Sequence, residues 1–448
     1  IPPSVNWPQP VPDDAKAVDD LFHAAVNGRG KYLKASDPQE YQDAIEATLN
    51  EIFATVDAKS GVALSGFQVN STTKRYVPSF SSPQWTGNVT ASLLSTGELL
   101  WDAESALPAH GQRKIYVWNG SAAESFASGM SSSITTAIGD TSVDLINFLR
   151  GDRSKEGGLS GFRCRGDQPG TTNCSKSKDS QGNPTNIGLF GDVVNSMPLL
   201  LSNNVDMSYQ LLNAPEGGTY RAFIKEKQKR IAGAGTQVLL VGANDGMLHV
   251  LSDENGEELA AFIPQAVLPN LKRLSNREYG NTTVDGDATS HRFFVDGKLL
   301  ESDAYINGAW ANVVLGSTGA GGKSVFALKF NAANPRSIEG SNLMWEINAT
   351  ATSGLSYKDR LGYVTGTMAM GRMKNGDWVG IFGNGMDSTD GGAYLWIVNL
   401  RTGQPIVPPI QAGTDKSGNG LHGVALIRDG NRNVIGAYAG DAKGKLWR

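Results

Sequence analysis

Apolar and polar residues alternate with period two along most of this chain, and glycine, asparagine and aspartate interrupt the alternation at short intervals. The most complete instance runs from Leu239 to Leu259. The apolar run Leu239-Leu240-Val241 enters a turn at Asn244-Asp245-Gly246, and Leu248-His249-Val250-Leu251 leaves it. A second turn at Glu254-Asn255-Gly256 then precedes another apolar run. Gly246 and Gly256 supply the positive φ that tight strand-to-strand turns require, while the Val and Leu residues suit a pleated, half-buried surface. The stretch predicts a complete β-hairpin.

Only the start of the chain follows a helical period. Asp13-Asp14 can cap a helix carrying Ala17, Leu21, Ala24 and Ala25 on one face, which Asn27-Gly28 stops. A second helix is predicted from about Pro38 to Val56, with Tyr41, Ala44, Ile45, Leu49 and Ile52-Phe53 on one face. From Gly61 the period switches to two. Strands are predicted over residues 75–80, 87–94, 99–101 and 114–118. Residues 123–150 read as mixed and end in a short helix, Val143 to Leu149. The stretch from Gly151 to Asn186 is long, polar and glycine-rich, and a loop of that length inside a compact domain is functional, mobile or both. Strands resume at Val193-Val194 and over residues 198–201.

Weaker copies of the opening hairpin recur downstream. Anchored on Gly242, Gly316, Gly383 and Gly440, they lie 74, 67 and 57 residues apart, each an apolar strand, a glycine, a polar turn and a second strand. Standard blades repeat every 40 to 50 residues or so, and insertions in four-stranded units account for the excess. Radial repetition of such units is a β-propeller, which protects its sheet edges by closing a ring. The expected organisation is a helical segment or linker over 1–60 and an all-β propeller domain over 61–448.

Composition agrees with this and narrows the function. Glycine is 54 of 448 residues, about 12%, which without collagen periodicity means many turns. A net charge of −4 and the lack of a long basic run leave no nucleic-acid-binding signature. No stretch approaches the roughly 18 apolar residues of a spanning helix. The chain starts at Ile1 and ends on a strand opening, Gly444 to Trp447, so it reads as a piece of a longer polypeptide. Cys164 and Cys174 lie in the polar loop with nine residues between them. That spacing can close a disulfide, which favours an oxidising compartment; the alternative is two free thiols, and no neighbouring histidines make them a zinc site.

Several segments together resemble the C-terminal region of the PilY/PilC family, type IV pilus biogenesis factors and tip-associated adhesins of Gram-negative bacteria. They are Asp19 to Gly30, Trp85-Thr86-Gly87, Leu149 to Ser154, Gly191 to Ser196, Val241 to Leu248, His291 to Gly297, and Tyr438 to Asp441 with Leu446-Trp447-Arg448. The resemblance spans nearly the whole chain. It implies a modified seven-bladed propeller, export through the periplasm to the pilus tip or outer surface, contact with minor pilins, and control of pilus extension against retraction. Surface attachment to a host or other receptor and a part in DNA uptake also follow from it.

The family further implies calcium in a blade loop just before Tyr438. Calcium takes six to eight oxygens from closely spaced acidic and amide side chains. Here Ile427 and Ile435 stand where the acidic ends would match, leaving Asp429, Asn431 and Asn433 beside Arg428 and Arg432. One carboxylate between two cations is a poor divalent site, and an ordinary polar hairpin turn is the favoured reading. Two Arg-Gly-Asp tripeptides, Arg150-Gly151-Asp152 and Arg165-Gly166-Asp167, would mimic an integrin ligand if exposed; structural turns are the competing reading. The hairpin pattern also resembles repeats of quinone-dependent dehydrogenase propellers, yet no stacking platform, quinone pocket or catalytic base can be assembled. His23, His110, His249, His291 and His422 lack metal-ligand spacing, and no serine sits in a nucleophile elbow. The expected function is therefore a non-enzymatic pilus biogenesis and adhesion factor, with a propeller oxidoreductase or a dedicated host-receptor adhesin as alternatives.

Overall fold

The structure, a computed structural model, describes residues 63–64 and 73–448, apart from 83, 141, 202–205, 233–236, 282, 285 and 351–354. The two helices expected over 13–56, and with them the segment 1–60, lie outside the described residues.

Strands dominate, in short antiparallel meanders that follow chain order. The first unit is β1 (Ala63–Leu64), β2 (Lys74–Ser81), β3 (Thr86–Leu93) and β4 (Leu99–Asp102). The hairpin of β5 (Ile115–Trp118) and β6 (Ala123–Ser125) follows. Two short helices come next, α1 (Ser132–Ile138) and α2 (Val143–Arg150). The opening stretch of the sequence analysis becomes the heart of the next meander: β7 (Leu199–Leu200), β8 (Val238–Gly242), β9 (Leu248–Ser252) and β10 (Glu258–Ile263). Between β7 and β8 lies α3 (Glu216–Ala232). Further meanders are β11 (Leu299–Ile306), β12 (Ala309–Ser317), β13 (Ser324–Phe330) and β14 (Leu343–Asn348), then β15 (Ala369–Met373), β16 (Trp378–Gly383), β17 (Tyr394–Asn399) and β18 (Ile410–Gln411). The last unit is β19 (Leu421–Arg428), β20 (Asn433–Asp441) and β21 (Leu446–Trp447).

Short parallel contacts join some units edge to edge, Ala261–Ile263 of β10 against Ile115–Val117 of β5 and β15 against β20. This is the all-β, propeller-like repetition expected from the sequence. The described residues hold six antiparallel units, four of them four-stranded; a seventh is not seen among them. Every residue of β8 and β9 is buried, so these strands pack on both faces. Each fully buried Val or Leu there contributes about 1.5–3 kcal/mol.

Successive units meet at a recurring step. Gly242 ends β8 and Gly383 ends β16, and at each the backbone of the next unit occupies the place of a side chain. A Cβ on Gly242 would stand 2.3 Å from the Val295 carbonyl, and one on Gly383 would stand 2.2 Å from that of Leu421. An asparagine follows in both cases. Asn244 Oδ1 accepts the Phe294 N–H at 2.8 Å, and Asn384 Oδ1 accepts the Leu421 N–H at 2.9 Å. Both asparagines are buried, so the amides replace ladder partners that the unit boundary removes.

One expectation fails locally, and one helix was not expected. Val193-Val194 is not a strand; Gly191-Asp192 presses on neighbouring turns instead, with Phe190 O accepting the Gly87 N–H at 2.9 Å and Asp192 O the Asn244 N–H at 2.9 Å. Helix α3 went unread because Gly217-Gly218 opens it and Lys227 lies on its buried face. That lysine has no exposed surface. Its ammonium donates to Asp303 at 2.7 Å and lies 3.3 Å from Glu301, while the Tyr220 hydroxyl donates to Asp303 at 2.9 Å. Asn312 Nδ2 donates to both carboxylates.

Lys227→Met removes the cation and leaves two buried carboxylates facing each other. A loss of about 3–5 kcal/mol is expected, read as a lower urea midpoint; an unchanged midpoint would show that α3 is held by its apolar contacts alone.

Candidate functional site

The long loop of residues 151–191 is the part of the chain with most to offer a partner, and it is anchored from below by arginines. Helix α2 begins with Ser142 accepting the Leu145 N–H at 3.3 Å and ends at Gly151, whose φ of 115° permits the chain to turn back. Its last residue, Arg150, points inward. The guanidinium donates to the carbonyls of Phe126, His110 and Arg113 at 2.6, 2.9 and 2.8 Å.

Arg165 returns to the same place from the other side of the loop. It donates to Glu156 at 2.5 Å and to the carbonyls of Phe148 and Asp152 at 2.7 and 2.6 Å, with its guanidinium 4.0 Å from the Phe148 ring centre. Arg153 also donates to Glu156, at 2.9 Å. Both tripeptides are therefore structural. Arg150 and Arg165 are 8% and 6% exposed, and their donors are committed to carbonyls and Glu156, so neither arginine is available to a receptor. Asp152 accepts from Ser154 and Asp167 from Ser175 and Lys176, closing local turns. Gly151 and Gly166 both take positive φ. This corrects the reading of Arg150-Gly151-Asp152 and Arg165-Gly166-Asp167 as displayed adhesion motifs.

Cys164 and Cys174 are joined, with Cα atoms 5.0 Å apart. The bridged segment docks through main-chain bonds, Arg163 N–H to Ser275 O at 3.0 Å and Gly170 N–H to Arg277 O at 2.9 Å. Residues 167–186 leave and rejoin this base at one point, since a Cβ on Gly188 would stand 2.3 Å from the Gly166 nitrogen. Between the loop and residues 107–113 opens a cleft of about 610 Å³, edged by His110, Asp152, Ser154, Lys178 and Asn186. Its floor includes the buried Arg113 and Arg150. The cleft is lined mainly by apolar surface, carries charges of both signs at its edge and is walled on one side by the excursion itself.

Beneath the floor lies a charge relay that short-range sequence spacing does not reveal. Arg113 grips Glu258 with two bonds of 2.7 and 2.8 Å. Glu258 also meets His249 Nδ1 at 2.7 Å, and His249 Nε2 meets Asp245 at 3.1 Å. The imidazole stacks on Phe190 with ring centres 4.3 Å apart. Burial alone would push His249 down, but the charges and hydrogen bonds of Asp245 and Glu258 outweigh it and hold its pKa at about 9. Burial would likewise raise Glu258; Arg113 and His249 keep it well below the usual carboxylate range. His249 is thus a satisfied strand residue, as its alternation with Leu248 and Val250 suggests. Nothing here resembles a nucleophile with its base.

The residues at 429–433 do not fit a calcium ion. Asp429 Oδ1 accepts the main-chain N–H groups of Asn431 and Asn433 at 3.0 and 2.8 Å, and Asn433 Nδ2 reaches both carboxylate oxygens at 3.3 Å. Asn433 Oδ1 in turn accepts from Arg372 at 2.8 Å. The oxygens are turned toward donors and close the β19–β20 hairpin. Among the described residues no group of three or more His, Cys, Asp or Glu could hold a metal, and no helix is long and apolar enough to cross a membrane.

A family model described as the PilY1 beta-propeller domain matches residues 190–448. The type IV pilus biogenesis factor PilY1 homolog of Xylella fastidiosa is 31% identical over 480 residues, covering 94% of this chain and 30% of that protein. The type IV pilus biogenesis factor PilY1 of Pseudomonas aeruginosa is 31% identical over 476 residues, covering 99% of this chain and 37% of that protein. The crystal structure of the Pseudomonas aeruginosa PilY1 C-terminal domain aligns with a TM-score of 0.39 and 31% identity, over 51% of this chain and 40% of that one. This chain spans 30–37% of the length of those two relatives.

A pH profile tests the relay. The folded pKa of His249 lies above its unfolded value of about 6.5, so its contribution is complete below that pH and is lost as pH rises through about 9. Unfolding free energy should fall across this window by on the order of 3 kcal/mol. His249→Gln should flatten the slope; a wild-type profile already flat between pH 6.5 and 9 would show that the imidazole is neutral in the fold.

Proposed function

This chain belongs to the family of PilY1 β-propeller domains, and from that premise we propose that it is the propeller part of a type IV pilus biogenesis factor. The observation that carries the reading is the 31% identity to PilY1 proteins over 94–99% of the chain. Export fits the Cys164–Cys174 bridge, which forms in an oxidising compartment such as the periplasm. The proposed location is the pilus tip or outer surface, with minor pilins as partners and the balance of extension and retraction as the process served.

The proposed mechanism is non-enzymatic recognition by loops on a rigid frame. The cleft beside residues 167–186 supports this, because its floor is locked by bidentate and multiply bonded arginines while His110 and Lys178 stand at its rim. Attachment to a host or other surface receptor, and DNA uptake, would act through the same exposed rim rather than through Arg150 or Arg165.

Replacing residues 167–186 by a short glycine-serine linker, together with Cys164→Ser, removes Lys178 and Asn186 from the rim and leaves the Arg150 and Arg165 anchors. Loss of surface pili with normal export of the protein is the expected result. Normal piliation with lost surface attachment would instead favour the dedicated adhesin, and normal performance in both would exclude the loop as the recognition element. A purified protein that binds a quinone and reduces a dye with an alcohol would overturn the non-enzymatic reading.

A further inference from the structure

The buried lysine of α3 has more around it than an ion pair needs. The side chains of Lys227 and Asp303 have no exposed surface, and that of Glu301 is 3% exposed. Lys227 Nζ touches Asp303 Oδ1 at 2.7 Å and lies 3.3 Å from Glu301 Oε1. One carboxylate would neutralise the ammonium. With the second, the three groups carry one negative charge in excess, which an apolar core tolerates poorly unless a proton is taken up or charges are removed in pairs. Asn312 Nδ2 spans the two acids, donating to Glu301 Oε1 at 3.0 Å and to Asp303 Oδ1 at 3.1 Å.

The two oxygens of Asp303 are set apart from each other. Oδ1 meets the amine, while Oδ2 accepts from the Tyr220 hydroxyl at 2.9 Å. Burial pushes the Asp303 carboxyl up, against the pull of Lys227 and Tyr220. Aromatic rings close in around the cluster. Tyr220 packs on Trp310 and Tyr209 with ring centres 4.6 and 5.4 Å apart, and the Phe223 ring centre is 5.9 Å from Lys227 Nζ.

We infer that Lys227 and Asp303 join in an amide bond that the folded protein makes on itself, with Glu301 carrying the proton. Glu301 takes a proton from the ammonium, and the freed amine attacks the Asp303 carboxyl carbon. The N–C bond forms and the bond to Oδ1 breaks. Oδ1 leaves as water with the proton that Glu301 returns and a second one from the nitrogen, and Glu301 ends as it began. Oδ2 stays as the amide oxygen, still accepting from Tyr220. The step needs no oxidant, metal or co-reactant. In water the separate ions are favoured, but groups fixed in contact react as if at on the order of 10⁵ M or more, and an apolar site favours a neutral amide over two ions. The product ties α3 to β11 across 76 positions of the chain. It does not depend on the pilus assignment.

Intact-mass measurement on the purified, denatured chain should fall short of the disulfide-bonded sequence mass by one water. Proteolysis should release one branched peptide in which Lys227 is joined to Asp303. Glu301→Gln and Lys227→Arg should each restore the full mass. A full mass in the unaltered protein after prolonged incubation would overturn the proposal and leave an ordinary ion pair. Loss of water confined to the peptide holding Asp303, as a cyclic imide, would overturn it, as would loss of ammonia with Asn312 in the branch. An undiminished water loss in Glu301→Gln would remove Glu301 from the reaction and overturn the mechanism. Should the variants fail to fold, the branched peptide of the unaltered protein decides.

Discussion

The architecture depends on how closely the backbone of one unit can approach the strand end of the one before it. At Gly242 and Gly383 a carbonyl of the following unit lies where a β-carbon would be, and a buried asparagine then takes over the hydrogen bond that a sheet neighbour would have made. Sheet edges left open at such boundaries would carry unsatisfied amides into the core, at a cost of about 1–3 kcal/mol each. The glycine-asparagine step removes that cost without extending either sheet. It explains why short meanders, several with strands of only two residues, can share core clusters with their neighbours.

The same packing decides where rigidity is placed. Loop 151–191 would be a loose excursion if it rested on main-chain bonds alone. Instead Arg113, Arg150, Arg153 and Arg165 reach into it or beneath it, bonding to carbonyls of α2, of the loop and of residues 110–126 and to the carboxylates of Glu156 and Glu258. Guanidinium suits this task because its fixed fork satisfies several acceptors at once. Charged groups that look like ligand-binding elements in the sequence hold the frame.

Much of this was legible from residue order. Period-two runs located β2 to β5, because a pleated strand with one face buried must alternate, and apolar runs between turn residues located β7 to β10, where β8 and β9 are buried on both faces. Positive-φ glycines located their turns. The fourfold glycine repeat was real as a pattern but mixed in cause: Gly316 makes room for the Phe326 ring of its own hairpin, and Gly440 has open space where its side chain would be. Helix α3 escaped because its apolar stripe is broken by Lys227, whose partners Glu301 and Asp303 lie on a strand more than seventy residues away. The charge relay escaped for the same reason. Glu258 belongs with Arg113, 145 positions earlier, and no local spacing announces the pair.

The turn at 429–433 is closed by its own donors. A cation loop and an aspartate-closed hairpin turn use similar residues, and they differ in which atoms face the carboxylate. In this chain Arg432 adopts a φ of 65°, the turn N–H groups point at Asp429, and Asn433 spends its carbonyl on Arg372. Each of these bonds would have to be given up for a metal to enter. Arg428 and Arg432 meanwhile donate outward to the carbonyls of Met370 and Met207, so the arginines that count against a cation serve to attach the hairpin to its neighbours. Isoleucine at 427 and 435 flanks the turn with apolar side chains, and the turn is stabilised by its own donors.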